Sequence, residues 1–201
     1  MADEINTDAK AAGRKGIDPK VKYAAAFIVI AIAAYVIAFN VLKPPEQESP
    51  LAGYEIYRGP GFVFLKPESW TARMLDSPAS VAFYSPVGKD DYYQEYVRID
   101  RENTTLNLSS FVIRDFYLMD RLIPTLDILP GPGPTTVNGN EAFRAGFTLL
   151  DSSNRTVRLG RVYIPKGNDV FVITYTALNE TFLEYQTEVS IMLDSFTIAS
   201  P

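Results

Sequence analysis

The chain has 201 residues and contains neither cysteine nor histidine. Without cysteine there is no disulfide, no thiolate nucleophile and no cysteine-bound metal, and without histidine the commonest general base and transition-metal ligand are missing. The formal net charge is −5, and the acidic excess falls in residues 51–201, where no basic stripe occurs. We therefore expect no nucleic acid as a partner, since that binding needs cations that replace the counterions of the phosphates.

An uncharged apolar stretch of twenty residues, 23–42 (YAAAFIVIAIAAYVIAFNVL), predicts a transmembrane helix. At about 1.5 Å per residue it spans a hydrocarbon core of about 30 Å. The alternative is a cleaved secretory signal, but its apolar core is usually only about 7 to 15 residues long. We expect an uncleaved anchor, preceded by a tail at 1–22 and followed by a Pro-rich acidic spacer at 43–50 and a single folded domain at 51–201.

The charges that flank the apolar stretch predict its orientation, because cytoplasmic flanks carry the positive excess. The basic residues before it outnumber the two that follow closely, Lys43 and Arg58. The preceding ones are Lys10, Arg14, Lys15, Lys20 and Lys22. We therefore expect a single-pass protein of the cell membrane with a cytoplasmic N-terminus and an extracytoplasmic C-terminal domain.

Four Asn-x-Ser/Thr sequons provide an independent indication of that orientation, since N-glycosylation takes place outside the cytoplasm. They begin at Asn103, Asn107, Asn154 and Asn179, all within the domain predicted to be external. The alternative is a polar surface in which this spacing arises by chance.

Small residues recur along one face of the predicted transmembrane helix. Ala24, Ala31, Ala34 and Ala38 lie close to a single line on the helix surface. Small residues at such spacing let membrane helices approach one another closely, so this face is a candidate docking surface for other membrane subunits. The alternative is the ordinary abundance of alanine in membrane helices.

The first half of the domain alternates between strand and helix patterns. Residues 61–67 (GFVFLKP) and 80–86 (SVAFYSP) predict strands that end at prolines, and 96–99 predicts a third strand. Between 103 and 123, apolar residues recur at steps of three and four, which predicts an amphipathic helix.

The second half predicts strands joined by tight turns. Asn138-Gly139 is typical of a hairpin because both residues tolerate positive φ. The strands that follow are predicted at 142–150, 156–164 and 169–177. The last of these is apolar at both parities, which indicates a central strand covered on both faces.

A final helix is predicted after Thr181 and Glu184, which have the spacing of a capping box. Hairpin-linked strands with one helix inserted midway and another at the end predict an α+β domain. Its sheet is expected to be mainly antiparallel and packed by helices.

Three segments of the domain resemble the PsbP-like family. They are GFVFLKPESW at 61–70, SVAFYSP at 80–86, and DVFVITYTALNETFLEYQTEVSIMLDSFTI at 169–198. They are similar to the family's Pro-x-x-Trp strand exit, its Phe-x-Ser-Pro strand end, and its closing strand and helix. Each is a packing or turn device, so the resemblance concerns the fold first.

The resemblance implies an αβα sandwich around a mainly antiparallel sheet, and a binding protein of the exported archaeal or bacterial type. Members of the family are mostly non-enzymatic, and they include photosystem subunits that help to retain calcium and chloride and a partner of the Ran GTPase. The histidine metal ligands of the photosynthetic branch have no counterpart here. We therefore expect neither an enzyme nor a resident cofactor.

An acidic, tyrosine-rich segment is the first candidate site. Asp90, Asp91 and Glu95 offer the carboxylate oxygens that Ca²⁺ takes, although their spacing matches no known calcium loop. The alternative is a solvated acidic loop. The interleaved aromatic residues are typical of a partner-binding edge, and they are Tyr92, Tyr93 and Tyr96.

A pair of arginines is the second candidate site. If the turn at 151–154 pairs Leu150 with Arg155, Arg144 lies directly across from Arg161 on one face of the sheet. Like charges so placed repel unless a carboxylate or a ligand anion lies between them. The pair therefore predicts a partner-binding anion site, or an ion pair with acids on a covering helix.

These features together predict an extracytoplasmic binding or assembly module, an accessory subunit of a larger membrane complex. One alternative is a pilin-like filament subunit, because Arg14-Lys15-Gly16 before an apolar helix resembles the cleavage site of archaeal type IV pilin precursors. Asp18, Lys20 and Lys22 argue against it, since charges are costly inside a packed filament core. Another alternative is a free-standing surface protein that binds a solute or an ion.

Overall fold

The computed structural model describes residues 51–76, 79–89 and 92–199. The predicted tail, transmembrane segment and spacer lie outside the described residues, and so does the alanine face formed by Ala24, Ala31, Ala34 and Ala38. Asp90 and Asp91 lie outside them as well. Within the described ranges, no helix is both long enough and apolar enough to cross a membrane.

The described residues form eleven strands and two helices. The first half contains β1 (Tyr54–Gly59), β2 (Phe62–Pro67), β3 (Thr71–Met74), β4 (Ser80–Tyr84), β5 (Tyr96–Asn103) and α1 (Leu108–Leu122). The second half contains β6 (Asp127–Ile128), β7 (Gly133–Val137), β8 (Asn140–Leu150), β9 (Thr156–Lys166), β10 (Asp169–Leu178), α2 (Gln186–Asp194) and β11 (Thr197–Ile198).

The main sheet has the order β3-β4-β5-β10-β9-β8-β6, and β7 also pairs with β8. Each of these pairings is antiparallel, which confirms the predicted sheet type. Strand β10 lies at the centre, and its residues from Val170 to Leu178 are all buried, as its apolar pattern on both parities predicts.

Helix α1 covers one face of the main sheet, and the other face is covered by α2 together with a small sheet. That small sheet has the order β1-β2-β11, which places residues 61–67 outside the main sheet. The core beneath it is rich in phenylalanine, and Phe64 and Phe83 meet edge to face with ring centroids 5.0 Å apart. Aromatic pairs of this geometry stabilise a core beyond their buried area alone.

Helix α1 lies within the predicted range 103–123 but begins later, at Leu108, because Asn103 still belongs to β5. The side chain of Asn107 caps the helix by accepting from the Ser110 amide at 2.9 Å. On the buried side, Asp115 accepts from the Arg161 guanidinium at 2.5 Å and from the Tyr163 hydroxyl at 2.6 Å. Burial raises the pKa of Tyr163, so its hydroxyl stays protonated and remains a donor.

The turn between β8 and β9 differs by one residue from the sequence-based expectation. Leu150 pairs with Thr156 rather than with Arg155, because the turn that Asp151 holds is one residue longer than expected. Its carboxylate accepts from the amides of Ser153 and Arg155, while Asn154 adopts a left-handed φ of 62°. A three-residue hairpin loop that ends in a left-handed residue is a common solution.

The predicted capping box was wrong. Helix α2 begins at Gln186, its N-cap Tyr185 makes no side-chain capping hydrogen bond, and residues 179–185 form turns. The Thr181 hydroxyl instead donates to the carboxylate of Glu95 at 2.7 Å. The local spacing assigned the Thr181 hydroxyl to a helix N-terminus, but it binds Glu95, which is distant in sequence.

The Asp115 contact generates a stability prediction. Asp115→Asn leaves the Arg161 charge largely buried without its carboxylate, so the free energy of unfolding should fall by about 3 kcal/mol. Asp120→Asn, on the exposed side of the same helix, should change it by less than about 0.5 kcal/mol. Chemical denaturation of the full chain in mild detergent, followed by the fluorescence of the single, buried Trp70, measures both. Equal effects of the two variants would contradict the assignment.

Candidate ligand-binding groove

A groove lies between the main sheet and α2, and its floor contains two adjacent glycines. Gly146 of β8 pairs directly with Gly160 of β9, so no side chain rises from either strand at this point. A Cβ on Gly146 would lie 3.2 Å from Leu129, and one on Gly160 would lie 3.4 Å from Phe182. The glycines therefore let the side chains of Leu129 and Phe182 lie close to the sheet, and a larger residue at either position would displace them.

The walls of the groove are mainly apolar, with a few polar groups, and enclose about 530 Å³. That volume falls in the usual range of ligand sites. The apolar lining includes Tyr175, Phe182, Val189 and Leu193, and the polar lining includes Gln186 and Ser190.

Arg144 and Arg158 give the groove its charge, because none of the described residues that line it is an aspartate or a glutamate. Arg158 stacks over the Phe182 ring at 4.4 Å. Neither arginine forms an ion pair with a carboxylate among the residues the structure describes. A region with positive charge only, in a domain with an acidic excess, is suited to an anionic ligand.

The one-residue difference in the β8–β9 turn separates the two arginines that were expected to face each other. Arg144 lies across from Val162, and Arg161 lies across from Ala145. Because side chains alternate between faces, Arg161 faces α1 and Arg144 faces the groove. The predicted like-charged pair was wrong. Arg161 instead forms the ion pair with a covering helix that was the alternative, and Asp115 is its partner.

Tyr175 links the groove to the neighbouring turn. Its hydroxyl donates to the carbonyl of Phe182 at 3.1 Å, and its ring lies 4.7 Å from the Phe182 ring. Burial, followed by the nearby charge of Glu95, raises the pKa of Tyr175. The phenol therefore stays protonated and keeps Phe182 beside Arg158.

Glu95, a candidate calcium ligand in the sequence, is buried and hydrogen bonded to two hydroxyl groups. Only 2% of the residue is exposed, and its carboxylate accepts from Ser85 at 3.2 Å and from Thr181 at 2.7 Å. The part of the chain that the structure describes holds no group of three potential metal-ligating side chains. Here Glu95 joins the end of β4 to the turn before α2.

The three tyrosines of the acidic segment differ in their exposure and in their contacts. Tyr92 is 89% exposed, whereas Tyr93 is partly buried and burial raises its pKa. Arg155 lies over the Tyr93 ring at 5.5 Å. Tyr96 packs on Tyr84 at 5.5 Å, so of the three only Tyr92 is freely available to a partner.

All four sequon asparagines are exposed. They are Asn103, Asn107, Asn154 and Asn179. Three of them also have structural roles, since Asn103 donates to Asp169 at 3.2 Å, Asn107 caps α1 and Asn154 adopts the left-handed turn conformation. Their exposure leaves each of them accessible to modification.

Several residues of the groove were not predicted from the sequence. Arg158 and Gly160 join the face of Arg144 and Gly146 only in the observed register. Phe182 reaches the groove from a turn that was predicted as helix. The Asp151 turn is the sequence signal that could have placed them, because an aspartate followed by Ser, Ser and Asn favours a short side-chain-held loop.

The layered antiparallel domain is PsbP-like in fold. No family model and no curated protein matches the chain, but solved structures do. The cyanobacterial PsbP of Synechocystis sp. PCC 6803 superposes with a TM-score of 0.54 at 14% identity, covering 75% of this chain and 95% of that one.

Two further structures have the same fold. LpqN of Mycobacterium tuberculosis, described as involved in cell envelope biogenesis, gives a TM-score of 0.51 at 16% identity, with 77% of this chain and 88% of that chain covered. PA94 of Pseudomonas aeruginosa, a protein of unknown function, superposes with a TM-score of 0.54 at 14% sequence identity, and the match covers 75% of this chain and 99% of that chain. At such identities the similarity establishes the fold alone.

The contacts of Glu95 generate a second prediction. Thr181→Val removes the shorter of its two hydrogen bonds and should lower the free energy of unfolding by about 1 to 3 kcal/mol. Thr181→Ser should retain most of it, and Thr136→Val at an exposed position of β7 should have almost no effect. Denaturation of full chains made in a host without N-glycosylation compares the three. A Thr181→Ser variant as unstable as Thr181→Val would contradict the hydrogen-bonding role.

Proposed function

We propose that this protein is a membrane-tethered, extracytoplasmic binding module that holds an anionic segment of another protein in the groove between the main sheet and α2. The observation that carries this proposal is the pair of groove arginines, Arg144 and Arg158, in a lining whose described residues include no carboxylate. Arg144 is exposed and Arg158 is partly exposed, so both guanidinium groups are accessible and can pair with a ligand anion.

The apolar walls support a partner protein rather than a bare inorganic anion. Tyr175, Phe182 and the α2 residues Val189 and Leu193 offer the mixed aromatic and aliphatic contact that is typical of recognition sites. Arginine and aromatic residues together are also the side chains that most often dominate binding energy at protein interfaces.

The membrane location is part of the same proposal and is supported by the sequence. The basic residues before the apolar stretch at 23–42 favour a cytoplasmic N-terminus, and the four exposed sequon asparagines favour an external domain. The protein then acts as an accessory subunit. Its helix tethers it to the membrane, and its groove holds a partner subunit.

Site-specific photo-crosslinking in the native membrane tests the binding site. A crosslinking residue at Ser190, on the groove wall, should give a discrete adduct with one partner protein, and one at Ser109 on α1 should not. Arg144→Glu combined with Arg158→Glu should abolish the Ser190 adduct, because repulsion replaces attraction. Arg121→Glu on the exposed side of α1 is the charge-matched control and should leave it intact. A Ser190 adduct that persists in the variant with both arginines replaced by glutamate would contradict the proposal.

Glycan mapping tests the orientation. In protein purified from its native source, we expect a glycan on Asn107, and Ser109→Ala should remove it without unfolding the domain. That substitution destroys the sequon but leaves the capping bond from the Ser110 amide to Asn107 in place. Peptide mass spectrometry gives the result. A domain with no modified sequon that is also shielded from external protease in intact cells would contradict the external location.

A further inference from the structure

The two groove arginines stand at opposite ends of the glycine floor. Arg158 lies across from Thr148, which is four residues beyond Arg144 along β8. At about 3.3 Å per residue and about 4.8 Å between strands, the two arginine Cα atoms are about 14 Å apart. Between them lies the Gly146–Gly160 pair, with both arginines on its face. Two cations thus flank a centre that the apolar side chains of Leu129 and Phe182 cover.

This spacing corresponds to that of an extended peptide. Alternate residues of a strand point to the same side, so residues i and i+4 present side chains about 13 Å apart, with residue i+2 between them. We propose that the groove recognises an extended acidic segment of a partner protein, with carboxylates at positions i and i+4 and an apolar side chain at i+2. This inference rests on the proposed function and assigns the ligand class of that site.

Each part of such a segment has a counterpart in the groove. A carboxylate pairs with a single guanidinium in a bidentate manner, so one acid leaves the second arginine without a partner. The apolar side chain packs on Leu129 and Phe182, which lie over the two glycines. The peptide backbone also requires hydrogen-bonding partners, and Gln186 and Ser190 on the wall can donate and accept.

The position of Arg158 favours two separate anionic groups over one. Its guanidinium lies over the Phe182 ring at 4.4 Å, and Phe182 is held in turn by Tyr175. Arg144, at the other end of the floor, is exposed. A ligand that pairs with both arginines therefore has to cross the glycine floor.

Two capped peptides of identical composition test the spacing. The first, Ser-Glu-Ser-Leu-Ser-Glu-Ser, has its acids at i and i+4, and the second, Ser-Glu-Ser-Leu-Glu-Ser-Ser, has them at i and i+3. Isothermal titration of the full chain in mild detergent should give a dissociation constant about tenfold lower for the first peptide, the difference expected for one charged hydrogen-bonded contact. Either Arg144→Ala or Arg158→Ala should remove this preference, and Arg121→Ala should preserve it.

A charge swap makes the test specific. Arg158→Glu should lose the first peptide, and replacing one of the two glutamates of that peptide by lysine should restore binding to this variant alone. The lysine position that restores it also gives the direction of the peptide. Thermal unfolding of every variant confirms that it is folded, and Arg144→Lys should keep part of the affinity.

Several outcomes would overturn the inference. Equal affinities for the two peptides, both lost in the double arginine variant, would leave an anion-binding groove but remove the spacing rule. Inorganic phosphate that competes at the same concentration as the first peptide would show a single-anion site, and selective binding to anionic lipid vesicles would show a membrane ligand. Tighter peptide binding by the Glu46→Gln, Glu48→Gln variant would show that the chain's own spacer occupies the groove. The proposed function itself fails only if the Ser190 crosslink does.

Discussion

The register between β8 and β9 is the constraint on which the two faces of the main sheet depend. Asp151 sets it by accepting the amides of Ser153 and Arg155 and by pairing with the Arg155 guanidinium at 2.7 Å. These hydrogen bonds lower the pKa of Asp151, so the stabilisation is present at neutral pH and is lost as the pH falls through that lowered value. A shift of one residue would move every β9 side chain to the opposite face.

In the observed register, each face receives a coherent set of side chains. Arg161 and Tyr163 lie beneath α1, where Asp115 satisfies both of them. The opposite face receives the paired glycines and the two groove arginines. Compensated charge is thus buried on one side of the sheet, while uncompensated charge lines an accessible groove on the other. The face beneath α1 therefore stabilises the fold, and the groove face is the one that we propose binds a partner.

The sequence predicted those parts of the fold that depend on local pattern. The amphipathic period of α1, the two-parity run of β10 and the Asn138–Gly139 turn each depend on neighbouring residues, and each was predicted correctly. The errors arose where a distant group decides the structure. Thr181 has the spacing of a helix cap, but its hydroxyl binds Glu95, 86 residues away in sequence. Arg144 was expected to lie across from Arg161 but lies across from Val162, because the register depends on a turn whose length is set by one side chain.

We propose that an anionic partner segment lies across the glycine floor. A structure of the full chain with its crosslinked partner should show an extended partner segment over Gly146 and Gly160, with a carboxylate at Arg144 and another at Arg158. A partner seated on the outer surface of α1, with no partner atoms in the groove, would contradict it.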